Sequence, residues 1–211
     1  MLDSRRNVAL ACALSGLAGY VDGIGFLQLG GLFVSFMSGN STQLGVGLTQ
    51  DVSSALLPAA LIGSFVTGVV IGALAGHFAA SRRRPVVLLV VAILLAAAAI
   101  CHERGDDIAA VTVMAIAMGA ENAVFERDGE RSIAVTYMTG ALVKLGQRIM
   151  SALLGGDRWA WIWHLVLWSG LVIGAAIGAA VYSWIGLAGL GFAATTAALM
   201  AIVVSFSGES D

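Results

Sequence analysis

The feature that most constrains this chain is the run from Trp159 to Gly208, fifty residues that contain no Asp, Glu, Lys or Arg. The run from Val52 to Ser81 is likewise uncharged. A helix needs about 20 predominantly apolar residues to cross a bilayer, so each run is long enough to hold a membrane span. Of the 211 residues, 59% are hydrophobic and only 11% are charged, whereas a soluble domain carries about 25% charged residues. The sequence therefore predicts an all-α integral membrane protein.

Hydropathy divides the chain into six predicted transmembrane helices and two irregular segments. The helices are predicted over residues 8–29, 54–80, 85–102, 107–126, 159–184 and 185–206. The irregular segments, 30–48 and 132–154, are apolar but interrupted by Gly, hydroxyl and basic residues. Non-helical backbone at membrane depth must be buried in protein or line a wet cavity. We therefore predict that both segments are broken, re-entrant segments close to a functional site.

Internal similarity indicates two repeats, residues 1–102 and 103–211. The ten residues that begin at Thr67 share six identities with the ten that begin at Ser169, at an offset of 102. Two shorter matches pair Phe36-Met-Ser-Gly39 with Tyr137-Met-Thr-Gly140, and Gly19 and Asp22 with Gly119 and Asn122. Because each repeat holds three spans, the second copy starts on the opposite side of the membrane, which predicts an inverted-topology repeat.

Glycines recur at every fourth position in two predicted helices, at Gly68, Gly72 and Gly76 and at Gly170, Gly174 and Gly178. This spacing places small residues on one helical stripe and allows two backbones to approach closely. We predict that the two stripes serve helix packing and meet each other near the pseudo-twofold axis.

The distribution of basic residues predicts the orientation. Short cytoplasmic loops are enriched in Lys and Arg. With six spans, both termini and the Arg82–Arg84 cluster lie on one side of the membrane, and Arg104 lies on the other within an acidic loop. We therefore predict that both termini are cytoplasmic.

Polar residues in the two irregular segments are the candidates for solute binding. They are Ser38, Gly39, Asn40, Ser41, Thr42 and Gln43 in the first copy, and Thr139 and Gly140 in the second. A break in the helix at Gly39 would free backbone groups to bind a solute. The alternative is that these side chains only satisfy their own irregular backbone. Lys144, opposite Gln43 in the second copy, is either an anion contact or a side chain that extends to the headgroups.

Asp22, Glu121 and Asn122 are the candidates for proton coupling. Ionisable groups within a membrane are costly and usually face a cavity or a partner. Asp22 and Glu121 come from corresponding regions of the two halves, so they are expected to approach one cavity from opposite faces. The alternative is that Asp22 holds the end of the first broken segment in place.

Motifs for other functions are lacking in the sequence. It contains no HExxH, no phosphate-binding loop and no Gly-x-Ser-x-Gly around the candidate serines. We expect no enzyme activity, no cofactor, no metal site and no nucleic-acid partner. The expected partners are the lipid bilayer and a small solute or ion, and the sequence leaves a homo-oligomer open.

The stretch Gly19-Tyr-Val-Asp-Gly-Ile-Gly-Phe-Leu-Gln-Leu-Gly-Gly-Leu-Phe-Val-Ser-Phe-Met-Ser-Gly-Asn-Ser-Thr42 resembles the characteristic motif of the YoaK family. The likeness extends to the chain length, the pattern of spans and the second Met-Thr-Gly element. It implies a multi-pass protein of the bacterial inner membrane, but no substrate. From the residues themselves we expect a small-solute transporter or channel-like permease; the alternative is a membrane sensor or scaffold that transports nothing.

Overall fold

The computed structural model describes residues 5–125 and 138–207, and the regular elements in these ranges are all helical. The α-helices are α1 (Arg5–Gln28), α2 (Met37–Gln50), α3 (Val52–Ala79), α4 (Arg83–Glu103), α5 (Asp107–Glu121), α6 (Met138–Leu153), α7 (Ile162–Ile185) and α8 (Leu190–Ser207). Short 3-10 turns cover Ala80–Arg82, Asn122–Phe125 and Gly186–Gly189.

Four continuous helical stretches in the described ranges are long and apolar enough to cross a membrane: Arg6–Gln28, Val52–Glu103, Asp107–Phe125 and Ile162–Phe206. The second and fourth stretches each contain two helices joined by a 3-10 turn, namely α3 with α4 and α7 with α8. The prediction of an all-α membrane protein is thus confirmed. The six predicted spans correspond to α1, α3, α4, α5, α7 and α8, with α5 ending five residues earlier than predicted.

The first irregular segment is broken, but not at Gly39. Helical structure stops after Gln28, and the backbone turns at Gly30 and Gly31, whose φ angles of +63° and +113° favour glycine. Gly39 lies in the first turn of α2, where a Cβ would lie 2.8 Å from the Phe36 ring. The expected break at this position is therefore wrong: Gly39 makes room for an aromatic side chain.

In the second irregular segment, residues 132–137 lie outside the described residues. The rest of the segment forms α6, with Thr139 and Gly140 in its first turn. The structure gives no φ in the left-handed region for Gly140, so this glycine fits a regular helix.

The two glycine stripes pack against other helices rather than against each other. A Cβ on Gly174 or Gly178 would overlap the carbonyl oxygen of Gly16 or Tyr20 on α1. On α3, Gly68 meets the carbonyl group of Ile116 on α5 in the same way. The expectation that the stripes meet each other is therefore wrong. Each stripe instead gives its helix a close backbone contact with the first helix of the other half.

These contacts also change the register of the internal match. The contact between Gly19 and the Leu171 carbonyl corresponds to the contact between Gly119 and the Phe65 carbonyl. Leu171 lies 106 positions after Phe65, whereas the best sequence match has an offset of 102. Because glycine recurs every four residues, a shift of one helical turn still aligns glycines and leaves four identities in the ten residues. The contacts, not the number of identities, fix the register.

Basic residues gather at one end of the helix bundle, which we call the basic end. Arg84 donates a hydrogen bond to Asn7 Oδ1 (2.8 Å), and Arg83 donates one to the carbonyl oxygen of Ala123 (3.0 Å). The start of α1, the start of α4 and the residues that follow α5 therefore lie together.

At the opposite end, which we call the acidic end, hydrogen bonds connect the ends of α1, α4 and α7 with the start of α5. Gln28 at the end of α1 donates to Asp107 Oδ2 at the start of α5 (3.3 Å). Tyr182 of α7 donates to Gln28 Oε1 (2.8 Å), and His102 of α4 lies 2.7 Å from Asp107 Oδ1. The hydrophobic core between the two ends is formed mainly by α1, α4, α5 and α8, with Leu14, Leu95, Met114 and Leu190 fully buried.

Candidate functional site

Asp22 of α1 holds the irregular segment that follows its own helix. Its Oδ1 accepts hydrogen bonds from the backbone amides of Val34 (2.9 Å) and Ser35 (2.8 Å), and its Oδ2 accepts one from the Ser35 hydroxyl (2.5 Å). The two amides lie where the backbone bends between α1 and α2, so the carboxyl group satisfies amides that lipid cannot satisfy. The geometry matches the alternative in which Asp22 fixes the end of the broken segment.

Asn40 makes a second, similar contact with the same segment. Its Oδ1 accepts from the backbone amide of Phe33 (3.0 Å), and its Nδ2 donates to the carbonyl oxygen of that residue (2.6 Å). The Asn40 side chain is fully buried. Both functions of the amide are thus used within the protein. For Asn40 the structure favours the alternative interpretation, in which it satisfies the irregular backbone.

The neighbouring hydroxyl groups bond to their own helix. Ser41 donates to the Met37 carbonyl (2.8 Å) and Thr42 donates to the Ser38 carbonyl (3.2 Å), both one turn earlier in α2. The side chains of Ser38, Ser41, Thr42 and Gln43 are exposed, as is that of Thr139 in α6. A solute-binding role for these residues stays a prediction.

A cavity of about 520 Å³ lies beside Asp22, between α1, the irregular segment and α7. Phe26 of α1 and Phe33 and Phe36 of the irregular segment line one part of it, and Leu171 and Ala175 of α7 line another. Asp22 and Ser35 lie along this wall, but both side chains are buried, so the accessible surface of the cavity is almost entirely apolar. These aromatic residues were not predicted from the sequence, although three phenylalanines within fourteen positions after Asp22 provide a signal.

Glu121 at the end of α5 is the second buried carboxyl group. Its side chain is fully buried, and neither carboxyl oxygen has a hydrogen-bond partner among the residues that the structure describes. It interacts electrostatically with Asp22, so the two acids lie in one region. Glu121 does not line the cavity beside Asp22, and the approach of both acids to one cavity stays a prediction. A buried polar group without a partner costs about 1–3 kcal/mol, which is hard to explain by packing alone.

The other two candidates, Asn122 and Lys144, make contacts that do not involve the Asp22 or Glu121 side chains. Asn122 donates to the Met118 carbonyl oxygen one turn earlier (2.9 Å). Lys144 of α6 is exposed and, with Arg148, interacts electrostatically with His164 of α7. Neither Asn122 nor Lys144 lines the cavity beside Asp22. Their roles in proton coupling and anion binding stay predictions.

Comparison with known proteins gives a family and one curated relative. Residues 10–203 match the family described as protein of unknown function DUF1275. The chain is 38% identical over 173 residues to UPF0700 transmembrane protein RA0705 of Rhizobium meliloti (strain 1021), an alignment that covers 82% of this chain and 75% of that protein. No solved structure gives a significant match.

Proposed function

Because this chain belongs to the DUF1275 family of transmembrane proteins of unknown function, we propose from its own geometry that it is a proton-coupled transporter of a small solute. In this proposal the solute binds in the cavity beside Asp22, and Glu121 takes up and releases the coupled proton. The membrane is the bacterial inner membrane.

The observation that carries the proposal is the Glu121 carboxyl group, which is buried beside a second acid and has no hydrogen-bond partner among the described residues. A carboxyl group with no hydrogen-bond donor can gain or lose a proton without breaking a bond within the protein. Selection for stability alone would replace such a group with an apolar one. Ionisable groups inside membrane helices commonly form proton relays.

The positions of the two acids along their helices support a relay. Asp22 lies six residues before Gln28, about 9 Å from the acidic end at the rise of an α-helix. Glu121 lies fourteen residues after Asp107, about 21 Å from the same end. The two carboxyl groups would therefore occupy different depths on one path between the two ends.

The irregular segments support the inverted repeat on which alternating access depends. α2 and α6 have 14 and 16 residues, so they span about 21 and 24 Å, less than the roughly 30 Å hydrocarbon core. α2 starts beside the segment that Asp22 holds and ends next to the start of α3, where Gly47 contacts Ala55. α6 starts beside Ser15 in the middle of α1, and its Lys144 lies near the start of α7. Each segment would thus enter and leave on one side, the two from opposite sides.

The charges of the two ends support an orientation with the basic end, and both termini, in the cytoplasm. Arg82, near the start of α4, and Arg104, at the acidic end, are both exposed. We would place single cysteines at these positions in a chain lacking Cys12 and Cys101, and treat cells with a membrane-impermeant thiol reagent. Labelling is expected at position 104 and not at 82; the reverse result would contradict this orientation.

Transport would be tested in proteoliposomes that contain a pH-sensitive dye and carry an imposed proton gradient. A broad panel of solutes would be added one at a time. A transported solute should cause protons to move across the membrane in the wild type, which the dye reports. Glu121→Gln should abolish the proton movement, while Glu103→Gln, which changes an exposed acid at the acidic end, should preserve it.

Two results would count against the proposal. Proton-driven uptake that is unchanged in Glu121→Gln would remove Glu121 from the mechanism. No flux with any solute in the wild type would contradict transport and favour the second candidate function, a membrane sensor or scaffold.

A further inference from the structure

The wall of the cavity beside Asp22 contains a row of three aromatic rings. The ring centroids of Phe26 and Phe33 are 5.1 Å apart, and those of Phe33 and Phe36 are 5.2 Å apart with nearly perpendicular planes. Phe26 and Phe36 are 41% and 36% exposed, so a ligand can reach their rings. The face of an aromatic ring is electron-rich and attracts cations within about 6 Å of the centroid.

The charge of the cavity has one sign. Asp22 is the only ionisable residue among the described residues that line it. Its hydrogen-bond partners are two amides and a hydroxyl group, which orient the carboxyl group but bring no positive charge. Glu121, which interacts with Asp22, adds a second acid to the region.

Four basic side chains of the described helices make their contacts away from the cavity beside Asp22. Arg83 and Arg84 bond to groups at the basic end, and Lys144 and Arg148 lie near His164. Asp22 therefore loses solvation on burial without gaining a cationic partner from these groups. A cationic ligand would offset that loss, whereas an anion would add to it.

We propose that the solute is a monovalent organic cation with an aromatic or apolar body. This inference rests on the proposed function and names the substrate class of the same cavity. The Asp22 carboxylate, which is buried beside the cavity, forms an ion pair with the positive charge of the bound ligand. The row of three phenyl rings lines one side of that charge, and the apolar side chains of α7 contact the body of the ligand. The volume of about 520 Å³ admits a ligand with several rings.

Two ions of the same shape and opposite charge test this class. Tetraphenylphosphonium and tetraphenylborate differ in the sign of their charge but hardly in size. We would measure the binding of radiolabelled tetraphenylphosphonium to the purified protein in detergent, and the competition of unlabelled tetraphenylborate and tetraphenylphosphonium. The cation should bind and be displaced by itself, and the borate should not displace it. Equal competition by both ions, or no binding of the cation, would overturn the proposal.

Single substitutions distinguish the contribution of the Asp22 charge to cation binding from that of the aromatic rings. Asp22→Asn keeps the shape and the acceptor for the Val34 and Ser35 amides, but should weaken cation binding by about thirtyfold or more because the ion pair is lost. Phe33→Leu should weaken binding by about two- to thirtyfold. Matched controls are Asp157→Asn, which changes an exposed acid that also accepts a backbone amide, and Phe78→Leu, which changes an exposed ring on α3. Both should bind as the wild type does.

Folding is checked by the thermal unfolding midpoint and by monodispersity of each variant. If Asp22→Asn does not fold, the comparison of the two ions in the wild type still decides the charge preference. Unchanged cation affinity in a folded Asp22→Asn variant would overturn the assignment of Asp22. Because these assays measure binding without a proton gradient, their failure leaves the flux experiment on Glu121 unaffected.

Discussion

Asp22 and Asn122 occupy matching positions in the sequences of the two halves, yet their side chains make different hydrogen bonds. Asp22 accepts three hydrogen bonds from the segment that follows α1, and so fixes a break in the backbone. Asn122 donates to the preceding turn of its own helix. The acid of the second half is displaced by one position, to Glu121, which is buried without a partner in the described part of the chain. Two positions that match in sequence thus differ in their contacts, and under the proposed function structural support belongs to Asp22 and proton transfer to Glu121.

The glycine contact between α3 and α5 and the one between α7 and α1 are expected to contribute equally to stability. Disrupting either should give the largest loss in the free energy of unfolding. Gly68→Val on α3 and Gly174→Val on α7 each force a side chain into a backbone carbonyl group of the neighbouring helix. Each should lower the free energy of unfolding by about 4 kcal/mol or more, measured by thermal unfolding in detergent. Gly45→Val on α2, where a Cβ meets nothing within 4 Å, is the control. A large loss in only one of the two contacts would break the equivalence.

The next largest effect is a difference in the free energy of unfolding between variants of Asp22 and Asn122. Asp22→Ala leaves the amides of Val34 and Ser35 without their acceptor and should cost about 2–4 kcal/mol. Asn122→Ala removes a bond to the Met118 carbonyl, which already lies in a helix, and should cost about 0.5–1.5 kcal/mol. Chemical denaturation of the two variants in the same detergent compares them directly. Equal losses would contradict the difference in role.

Glu121 should respond in the opposite direction. Glu121→Met replaces a buried acid that has no hydrogen-bond partner in the described ranges with an apolar side chain of similar length. It should raise the free energy of unfolding by about 1–3 kcal/mol. The same variant should lose proton-coupled flux. A destabilised Glu121→Met protein would show that the carboxyl group supports the fold, and its role would then resemble that of Asp22.

The smallest effect concerns Asp51, an exposed acid that caps the start of α3. Hydrogen bonds from the Ser53 hydroxyl and the Ser53 amide lower the pKa of the exposed Asp51 carboxyl group. A lowered pKa in the folded state contributes stability above the unfolded value of about 4, and this contribution is lost as the pH falls through the folded pKa. The difference in unfolding midpoint between the wild type and Asp51→Asn should therefore shrink in acid. A difference that is independent of pH would contradict this.

Much of the architecture follows from the sequence alone. The uncharged runs predict membrane helices because a buried charge without a partner is costly in lipid. The helices α1, α3, α4 and α7 begin and end within three residues of the predicted positions, whereas α8 begins five residues later and α5 ends five residues earlier than predicted. The match between Asp22 and the region of Asn122 led to the prediction that Asp22 and Glu121 approach one cavity, which stays a prediction. The alternative role of Asp22, to hold the broken segment, was also stated from its position next to that segment.

Other features required the tertiary structure. Gly39 and Gly30 are the same residue type, and only the backbone shows that the chain turns at Gly30 while Gly39 admits the Phe36 ring. The glycine repeat has the period of a helical turn, so the sequence cannot distinguish two registers one turn apart. That Asn40 bonds to Phe33, and that Glu121 meets no donor in the described residues, depends on which surfaces face each other. Sequence determines which segments enter the membrane because transfer free energies are local, whereas partners and cavities arise from packing between distant helices.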